Sequence, residues 1–433
     1  MSSSDVSNSA APDPVQPRPV SSPIGSPLAF DWRDTFAALR HPNYRLWFLG
    51  QMVSMAGTWM QNTAQGYLIY QLTNSTAYLG LVGAISGIPT VLLTLYAGVI
   101  ADRISRRTLM VITQTAMMIL AFILAALTFS GQVQPWHILV LAFFLSVANA
   151  FDSPARVSFV AELVSREDMT NAIALNATMF NIATVTGPAI AGLTYASFGP
   201  AWCFTINGIS FIAVIVALLL MKLKPAAAPA RRGTALQDLM EGVRYVFANP
   251  LILSLIGFMG LMSVFGMGVL TLLPAWAKDI LNGDVTTNGW MVSARGVGSL
   301  VGALMLAALG KSGIRGKLWT IGSLLMPVLL FLFALTRWLP LSMLLLVGSG
   351  WSLIMVANNS NAMVQTQLDD RLRGRVMSVY TLVFFGAMPL GSFMAGSVAE
   401  VLQEPLTVMI SASIMGVLAL LVLFFLPAIR RQE

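Results

Sequence analysis

The stretch GVIADRISRR, Gly98–Arg107, joins two long apolar runs and carries four charged side chains. Asp102 follows the first run, and Arg103, Arg106 and Arg107 surround it. The helix dipole disfavours a carboxylate at a helix C-terminus unless cations compensate it, and the glycine lets a second helix approach closely. We expect the string to be a conformational latch, although its arginines would also suit a simple anchor for the preceding helix.

The composition of the chain excludes an ordinary soluble protein. Of 433 residues, 56% are apolar and 10% are charged, whereas globular domains carry roughly a quarter charged residues. So few charges cannot cover a soluble surface of this size, and much of the chain must face lipid. The single cysteine, Cys203, lies in an apolar run and is expected to be a buried, inert thiol.

Apolar runs of about 20 residues, the length that crosses a bilayer, recur along the chain. They predict spans near 46–71, 77–101, 108–129, 137–160, 170–196, 201–222, 251–277, 288–309, 317–335, 340–364, 374–400 and 406–427. We predict an all-α membrane protein with twelve transmembrane helices in two six-helix halves. Its predicted parts are a disordered cytoplasmic tail (1–30), an N-terminal half (31–222), a cytoplasmic inter-half loop (223–250), and a C-terminal half with a short cytoplasmic tail (251–433).

The positions of the basic residues predict the orientation. With the N-terminus inside, 22 of the 25 Lys and Arg residues fall in inner segments. Lys278 and Arg337 fall in outer loops, and Arg295 falls within a span. This bias follows the positive-inside rule and places both termini in the cytoplasm. It also accounts for the net charge of +7 without a nucleic-acid partner.

Weak self-similarity links the two predicted halves. The matching pairs are Gly80 with Gly289, Gly87 with Gly296 and Arg106 with Arg315 at an offset of 209, and Gly187 with Gly391 and Gly192 with Gly396 at an offset of 204. Their agreement with the order of the spans indicates a six-plus-six duplication. Duplicated halves commonly enclose a substrate site near the bilayer midplane that opens alternately to each side.

Polar residues in the first span form one helical stripe. A polar stripe facing lipid is costly, so we expect it to line a substrate cavity, with interhelical packing as the alternative. The predicted cavity residues are Gln51, Ser54, Thr58, Gln61, Asn62 and Gln65 in the first span, Asn181 in the fifth, Arg295 in the eighth and Asn358 in the tenth.

Arg295 is the one basic residue well inside a predicted span. Intramembrane charges are functional candidates by default. Three interpretations remain open: binding of an anionic or carbonyl-bearing substrate, a structural pair with Asp279 or Glu400, or snorkelling toward the outer surface.

The string G-x-x-x-D-R-x-x-R-R resembles motif A of the major facilitator superfamily, with Ser105 in place of a further glycine. The strings GQMVSMAGTWMQNTAQGYLIYQLTNS, AFDSPARVSFVAELV and DDRLRGRVMS resemble its enterobactin-exporter-like and macrolide-efflux-like branch of transmembrane secretion effectors. The resemblance implies a bacterial inner-membrane exporter driven by the proton gradient. Gly187-Pro188, followed by Gly192, resembles the antiporter motif, whereas the basic residue that many such exchangers carry in the fourth span is missing.

Asp152 and Arg156 lie at the predicted inner end of the fourth span and are expected to join the latch. The first, seventh and tenth spans hold no deep carboxylate, so Asp102 and Asp152, near the surface, are the best candidate proton carriers.

The sequence offers no sign of a metal site, a cofactor or an enzyme. His41 and His137 stand alone, and Gly310-Lys311-Ser312 lacks the first glycine of a phosphate loop. We predict a monomeric secondary transporter that exports a small amphiphilic molecule by alternating access, by proton antiport. The alternatives are a uniporter or importer of the same fold and, more remotely, a receptor or membrane enzyme.

Overall fold

Long apolar helices make up most of the chain, and the twelve-helix prediction is confirmed. The computed structural model describes residues 36–101, 104–222, 235–309 and 314–425. In those ranges eleven helices are long and apolar enough to cross a membrane. A further helix of 32 residues, Pro42–Thr73, precedes them and holds the polar stripe. At 1.5 Å per residue it extends about 48 Å, so it also has the length to span a bilayer.

We number these helices in chain order. They are α1 (Pro42–Thr73), α2 (Thr76–Ala101), α3 (Arg106–Phe129), α4 (Pro135–Leu163), α5 (Met169–Phe198), α6 (Pro200–Leu220), α7 (Pro250–Ile280), α8 (Val285–Leu309), α9 (Arg315–Leu335), α10 (Leu339–Thr366), α11 (Asp370–Leu402) and α12 (Glu404–Phe425). We call α1–α6 the first half and α7–α12 the second half.

Local sequence signals explain where several helices begin and end. Proline occupies the first turn of α1, α4, α6 and α7, where its missing N–H costs no hydrogen bond. Asn74 ends α1 in the left-handed conformation, with φ at 47°. Only Asn74 and Ser75 then separate α1 from α2, so the chain reverses direction at once.

The alternating helices place their connections at two ends of the bundle. The α2–α3, α4–α5 and α8–α9 connections share one end, which we call the basic end because Arg106, Arg166 and Arg315 lie there. The α1–α2 and α7–α8 connections share the other, which we call the opposite end.

Packing separates the helices into two bundles. In the first half, α1 packs on α5 and α6, and α4 packs on α2 and α3. In the second half, α10 packs on α8 and α9, and α7 packs on α11. Two extensive helix pairs, α2 with α11 and α5 with α8, join the bundles.

Glycines allow these two helix pairs to meet backbone to backbone. A Cβ atom added to Gly80 in α2 would lie 3.0 Å from the Cα of Gly396 in α11, and one added to Gly289 in α8 would lie 3.2 Å from the Cα of Gly192 in α5. These are the glycines that the internal repeat relates, Gly80 to Gly289 and Gly192 to Gly396. The two contacts are therefore repeats of one another.

A helix that the sequence interpretation missed follows α6. We call Ala235–Ala248 the linker helix. Its Leu239, Val243 and Val246 pack against the core of the second half, and Glu241 pairs with Arg375 of α11 at 2.6 Å. The interpretation of 223–250 as a loop was incomplete, because these apolar residues recur with helical spacing. Residues 223–234 lie outside the described part.

Candidate functional site

The seventh helix departs from regular α-helical geometry halfway along its length. Its first part, Pro250–Met262, is α-helical, and π-helical and 3-10 turns follow through Ser263–Met267 and Gly268–Leu272. Such departures occur frequently at functional sites, and transporters commonly place substrate sites at interrupted helices. The irregular part of α7 packs closely on α11, since a Cβ atom on Gly268 would collide with the backbone of Gly391.

Arg295 of α8 extends its guanidinium toward this irregular part of α7. Its Nη2 lies 2.9 Å from the thioether sulfur of Met267. Of the carboxylates that the structure describes, none lies within 4.0 Å of a nitrogen of Arg295. Arg295 follows the start of α8 by about 15 Å, roughly half the thickness of the hydrocarbon core of a bilayer. The pairing with Asp279 or Glu400, one of the three interpretations of Arg295, is not observed.

The residue after Arg295 lies at the boundary between the halves. Gly296 lies where α8 crosses α5, because an added Cβ atom there would be 2.7 Å from the carbonyl oxygen of Thr184. Arg295 itself contacts the second half, since its carbonyl oxygen faces Gly350 of α10 and its guanidinium faces Met267 of α7.

The structure divides the predicted polar stripe of α1 into two groups. Gln51, Ser54, Gln61 and Gln65 are buried. The Gln61 side chain accepts a hydrogen bond of 2.7 Å from the amide of Asn207 in α6. That contact is consistent with interhelical packing, the alternative to cavity lining, and the cavity assignment of Gln61 stays a prediction.

The second group is open to its surroundings. Asn62 on α1 and Asn358 on α10 are exposed, and Thr58 and Asn181 are partly buried. Thr58 and Asn181 each donate a hydrogen bond to a carbonyl of their own helix, so these donors are satisfied within the helix. Their assignment to a substrate cavity stays a prediction.

A carboxylate from the second half caps a helix of the first half at the opposite end. Glu400 of α11 accepts hydrogen bonds from the hydroxyls of Ser75 and Thr76, at 2.9 and 3.0 Å, and from the backbone N–H of Ala77 at 3.0 Å. These donors form the N-terminus of α2, where the helix dipole favours a negative charge.

Two further bonds join the halves at the same end. The hydroxyl of Tyr70 in α1 donates to the carboxylate of Asp279, and Lys278 Nζ donates to the side-chain oxygen of Asn74 at 2.5 Å. We call Tyr70, Asn74, Ser75, Thr76, Lys278, Asp279 and Glu400 the closing cluster. The conformation is closed at the opposite end.

The predicted latch lies at the basic end, and the structure describes part of it. Arg106 pairs with Glu162 of α4, and Arg107 donates to the carbonyl of Leu219 in α6 at 2.8 Å. Both contacts lie within the first half and suit an anchor at least as well as a latch. Asp102 and Arg103 lie outside the described residues, and so does the environment of Gly98.

Asp152 is buried rather than near the surface, contrary to expectation. Its side chain is 0% exposed within α4. The end of α4 at Leu163 is about three turns away, roughly 17 Å along the axis. Arg156, one turn further along α4, places its Nε 3.8 Å from Oδ2 of Asp152.

The antiporter-like string lies on α5 between two neighbours. Gly187 faces α1, since an added Cβ atom would lie 2.6 Å from the Cβ of Trp59. The carbonyl of Pro188 faces Gly289 of α8, and Gly192 faces Thr286 of the same helix. The string therefore lets α5 contact both its own half and the other.

His41, which stood alone in the sequence, has a partner at the basic end. Its Nε2 lies 2.7 Å from a carboxylate oxygen of Asp168, the residue that precedes α5. This hydrogen bond holds the pKa of Asp168 below its ordinary value. Within the described ranges, no group of three His, Cys, Asp or Glu side chains is arranged to hold a metal ion. Cys203 is buried, as expected.

Sequence reasoning missed most of the closing cluster. Glu400 and Asp279 were considered only as partners for Arg295, and the polar turn Asn74-Ser75-Thr76 was not connected with them. The available signal was the position of these acids at the outer ends of predicted spans, where a helix N-terminus also lies.

Two six-helix bundles joined through two glycine-rich helix pairs define a membrane transporter of the major facilitator fold. The crystal structure of the nucleoside transporter NupG has the same fold, with a TM-score of 0.72 over 90% of this chain and 100% of that chain, at 16% sequence identity.

Residues 33–433 match the family model described as "Transmembrane secretion effector", and the chain belongs to that family. It is 27% identical to the multidrug efflux pump Tap of Mycolicibacterium fortuitum over 87% of this chain and 94% of that protein. It is 26% identical to the enterobactin exporter EntS of Shigella flexneri over 90% of this chain and 94% of that protein. The protein is thus a multi-pass secondary transporter of small molecules and not an enzyme.

Proposed function

We propose that this protein exports a small amphiphilic molecule, such as a siderophore, a macrolide or another drug-like compound, by proton antiport. The relatives Tap and EntS, an efflux pump and an exporter, support the direction of transport. The observation that carries alternating access is the closing cluster, a set of hydrogen bonds that joins the halves at the opposite end. Such bonds exchange readily with water when two bundles rock apart.

The proposed orientation places the basic end in the cytoplasm of a bacterial cell and the opposite end outside the inner membrane. The positive-inside rule supports it, since Arg106, Arg166 and Arg315 lie at the basic end. In this orientation both termini are cytoplasmic, and the closed end faces outward. The conformation then suits loading of a substrate from the cytoplasm. A monomer, formed by an N-terminal and a C-terminal half, suffices for this cycle.

The proposed substrate site lies between the halves near Arg295. A guanidinium without a carboxylate partner in a low-dielectric region attracts an anionic or carbonyl group, because an unpaired charge there is costly. Met267 beside it supplies a polarisable, adaptable apolar contact. Asn62, Asn181, Asn358 and Thr58 supply the polar wall in this proposal.

Purified protein in liposomes with an imposed pH gradient tests the function. Enterobactin, erythromycin and ethidium serve as probes, because they represent a siderophore, a macrolide and a cationic dye. We expect at least one probe to accumulate while the gradient lasts and to leak out when a protonophore collapses it. Equilibration without accumulation would instead indicate a uniporter, and gradient-independent accumulation would exclude proton antiport.

Replacing Arg295 tests the substrate site. We expect Arg295→Ala to lower the transport rate far more than the amount of folded protein in the membrane, because the substrate loses its counter-charge. The matched control is Arg337→Ala, since Arg337 bonds to the carbonyls of Ala334 and Thr336 outside the proposed site. Equal losses of transport and of folded protein in Arg295→Ala would refute the substrate role.

A further inference from the structure

Asp152 has a different environment from almost every other carboxylate that the structure describes. Among those residues only Asp152 and Glu404 have buried acidic side chains, at 0% and 7% exposure. Glu404 lies in the first turn of α12, beside the closing cluster. Asp152 lies in the interior of α4, without a helix terminus nearby.

The two oxygens of the Asp152 carboxylate are unequal. Oδ1 accepts hydrogen bonds from the hydroxyl of Thr113 at 2.8 Å and from the amide of Gln114 at 3.0 Å, both on α3. Oδ2 is buried and accepts no hydrogen bond from a described residue. Arg156 is near, but its Nε is 3.8 Å from Oδ2, beyond hydrogen-bond distance.

Few other charges surround Asp152. Of the helices packed on α4, α2 and α5 carry no charged residue over Thr76–Ala101 and Met169–Phe198. In α1 the one charged residue is the exposed Arg45, and in α3 Arg106 and Arg107 bind Glu162 and the carbonyl of Leu219. Arg156 is therefore the described cation placed to compensate Asp152.

A buried carboxylate with one unsatisfied oxygen has two ways to lower its free energy. A proton can bind Oδ2 and neutralise the group, or the Arg156 guanidinium can close the remaining distance and form a hydrogen-bonded ion pair. These arrangements exclude each other, since both use Oδ2. Arg156 is partly exposed, so it can turn toward water at the basic end when it leaves the carboxylate.

We propose that Asp152 is the proton-binding site of the transport cycle, with Arg156 as the internal cation that replaces the proton. The proposal rests on the proposed proton antiport. Uptake adds one proton to Oδ2 and frees the guanidinium. Release returns that proton to water at the basic end, and the carboxylate then pairs with Arg156. The proton site and the proposed substrate site are separate, because Asp152 is enclosed in the first half whereas Arg295 belongs to the second.

Infrared difference spectroscopy of the purified full-length protein tests proton binding directly. On acidification, wild type is expected to gain the C=O stretching band of a buried carboxyl, and Asp152→Asn is expected to lack it. The matched control is Glu167→Gln, which removes an exposed carboxylate near the start of α5 and should keep the band. A band that is unchanged in Asp152→Asn would overturn the proposal.

Transport by the same proteins, with enterobactin and ethidium as probes, tests the coupling. We expect Asp152→Asn to lose accumulation driven by the pH gradient but to keep exchange of labelled for unlabelled probe across the liposome membrane. Undiminished gradient-driven accumulation in Asp152→Asn would also overturn the proposal. If wild type itself shows no gradient-driven accumulation, the antiport function fails, and the infrared band still decides whether Asp152 binds a proton.

Arg156→Gln keeps the test decisive if Asp152→Asn does not fold. Without Arg156 no internal cation replaces the proton when it is released, so we expect Arg156→Gln to keep the carboxyl band but to lose accumulation driven by the pH gradient. Undiminished gradient-driven accumulation in Arg156→Gln would contradict the exchange between the proton and Arg156.

Discussion

Glu400 stabilises a helix to which it does not belong. Its carboxylate accepts hydrogen bonds from three donors at the start of α2, whereas most capping carboxylates serve their own helix. Asp284, at the same end, caps its own helix in the usual way. Its carboxylate accepts hydrogen bonds from the backbone N–H groups of Thr286 and Thr287 at the start of α8. The cap made by Glu400 must break whenever the opposite end opens.

Glu400→Ala is expected to shift the protein toward opening at the opposite end. Loss of one cap costs about 1 kcal/mol, which changes the closed-to-open ratio about fivefold. Spin labels at Leu72→Cys and Leu402→Cys, both exposed, would report the distance between the halves by electron resonance. Asp284→Ala is the control, because its cap lies within one half. An unchanged distance distribution in Glu400→Ala would show that the cap does not hold the closed state.

Gln61 and Asn62 allow packing and cavity roles to be separated in adjacent residues. Gln61→Leu leaves the Asn207 amide without its partner, which costs about 1 kcal/mol in a membrane helix pair. We expect a lower unfolding temperature for Gln61→Leu, and for Asn62→Ala unchanged stability with slower transport. A double-mutant cycle with Asn207→Leu isolates the pair energy. If Gln61→Leu slows transport without lowering the unfolding temperature, Gln61 lines the substrate cavity and the packing prediction is wrong.

The polar stripe of α1 shows what could not be predicted from the sequence for individual residues. The spacing of Gln51, Gln61 and Gln65 predicted that they share a face of α1, and all three are buried. Whether that face meets a cavity or α6 depends on the rotation of one helix against another. The rotation is fixed by Gly57, whose added Cβ atom would lie 2.8 Å from Ser210 of α6, and no spacing rule reveals it.

At the scale of elements, the helix pairs between the halves depend on the absence of side chains. An added methyl group on Gly80 would lie 2.6 Å from the carbonyl oxygen of Ser392, and one on Gly296 would meet the Thr184 carbonyl at 2.7 Å. Backbone atoms cannot move aside as a flexible side chain can. Substitution must therefore separate the helices.

Gly80→Ala is expected to disfavour the closed opposite end by about 1–3 kcal/mol, the usual range for overpacking. The same spin-label pair would show a longer distance between the halves. Gly257→Ala in α7 is the matched control, because nothing lies within 4 Å of its added Cβ atom. If Gly80→Ala and Gly257→Ala give the same distances, the glycine contact does not control closure.

The elements themselves were largely predictable, and the exceptions have physical causes. Apolar runs fixed the spans because crossing a bilayer demands a minimum length. The linker helix was missed because its charged residues, such as Asp238 and Glu241, resemble loop composition. The irregular turns of α7 lie where Gly268 packs on Gly391, a contact between distant parts of the sequence that no local pattern predicts.

At the scale of the whole molecule, orientation follows from charge and can be tested by labelling. We expect a membrane-impermeant maleimide to label Gln132→Cys on intact bacterial cells and to label Glu167→Cys only after permeabilisation. Both positions are exposed, Gln132 at the opposite end and Glu167 at the basic end. Wild type, with Cys203 fully buried, provides the background. The reverse labelling pattern would show that the proposed topology, and with it the proposed direction of transport, is wrong.

The pairing of repeated glycines has a consequence for substrate recognition. Each half presents the same two faces to the other, so the interface is pseudo-isologous, as in a twofold-symmetric homodimer fused into one polypeptide. A ligand near the twofold axis would then meet nearly equivalent walls and could bind in two flipped poses. In the proposed substrate site Arg295 removes that degeneracy, because the offset of 209 relates it to the uncharged Ser86. One wall of that proposed site then carries a charge that the opposite wall lacks, which would give the bound cargo one preferred pose.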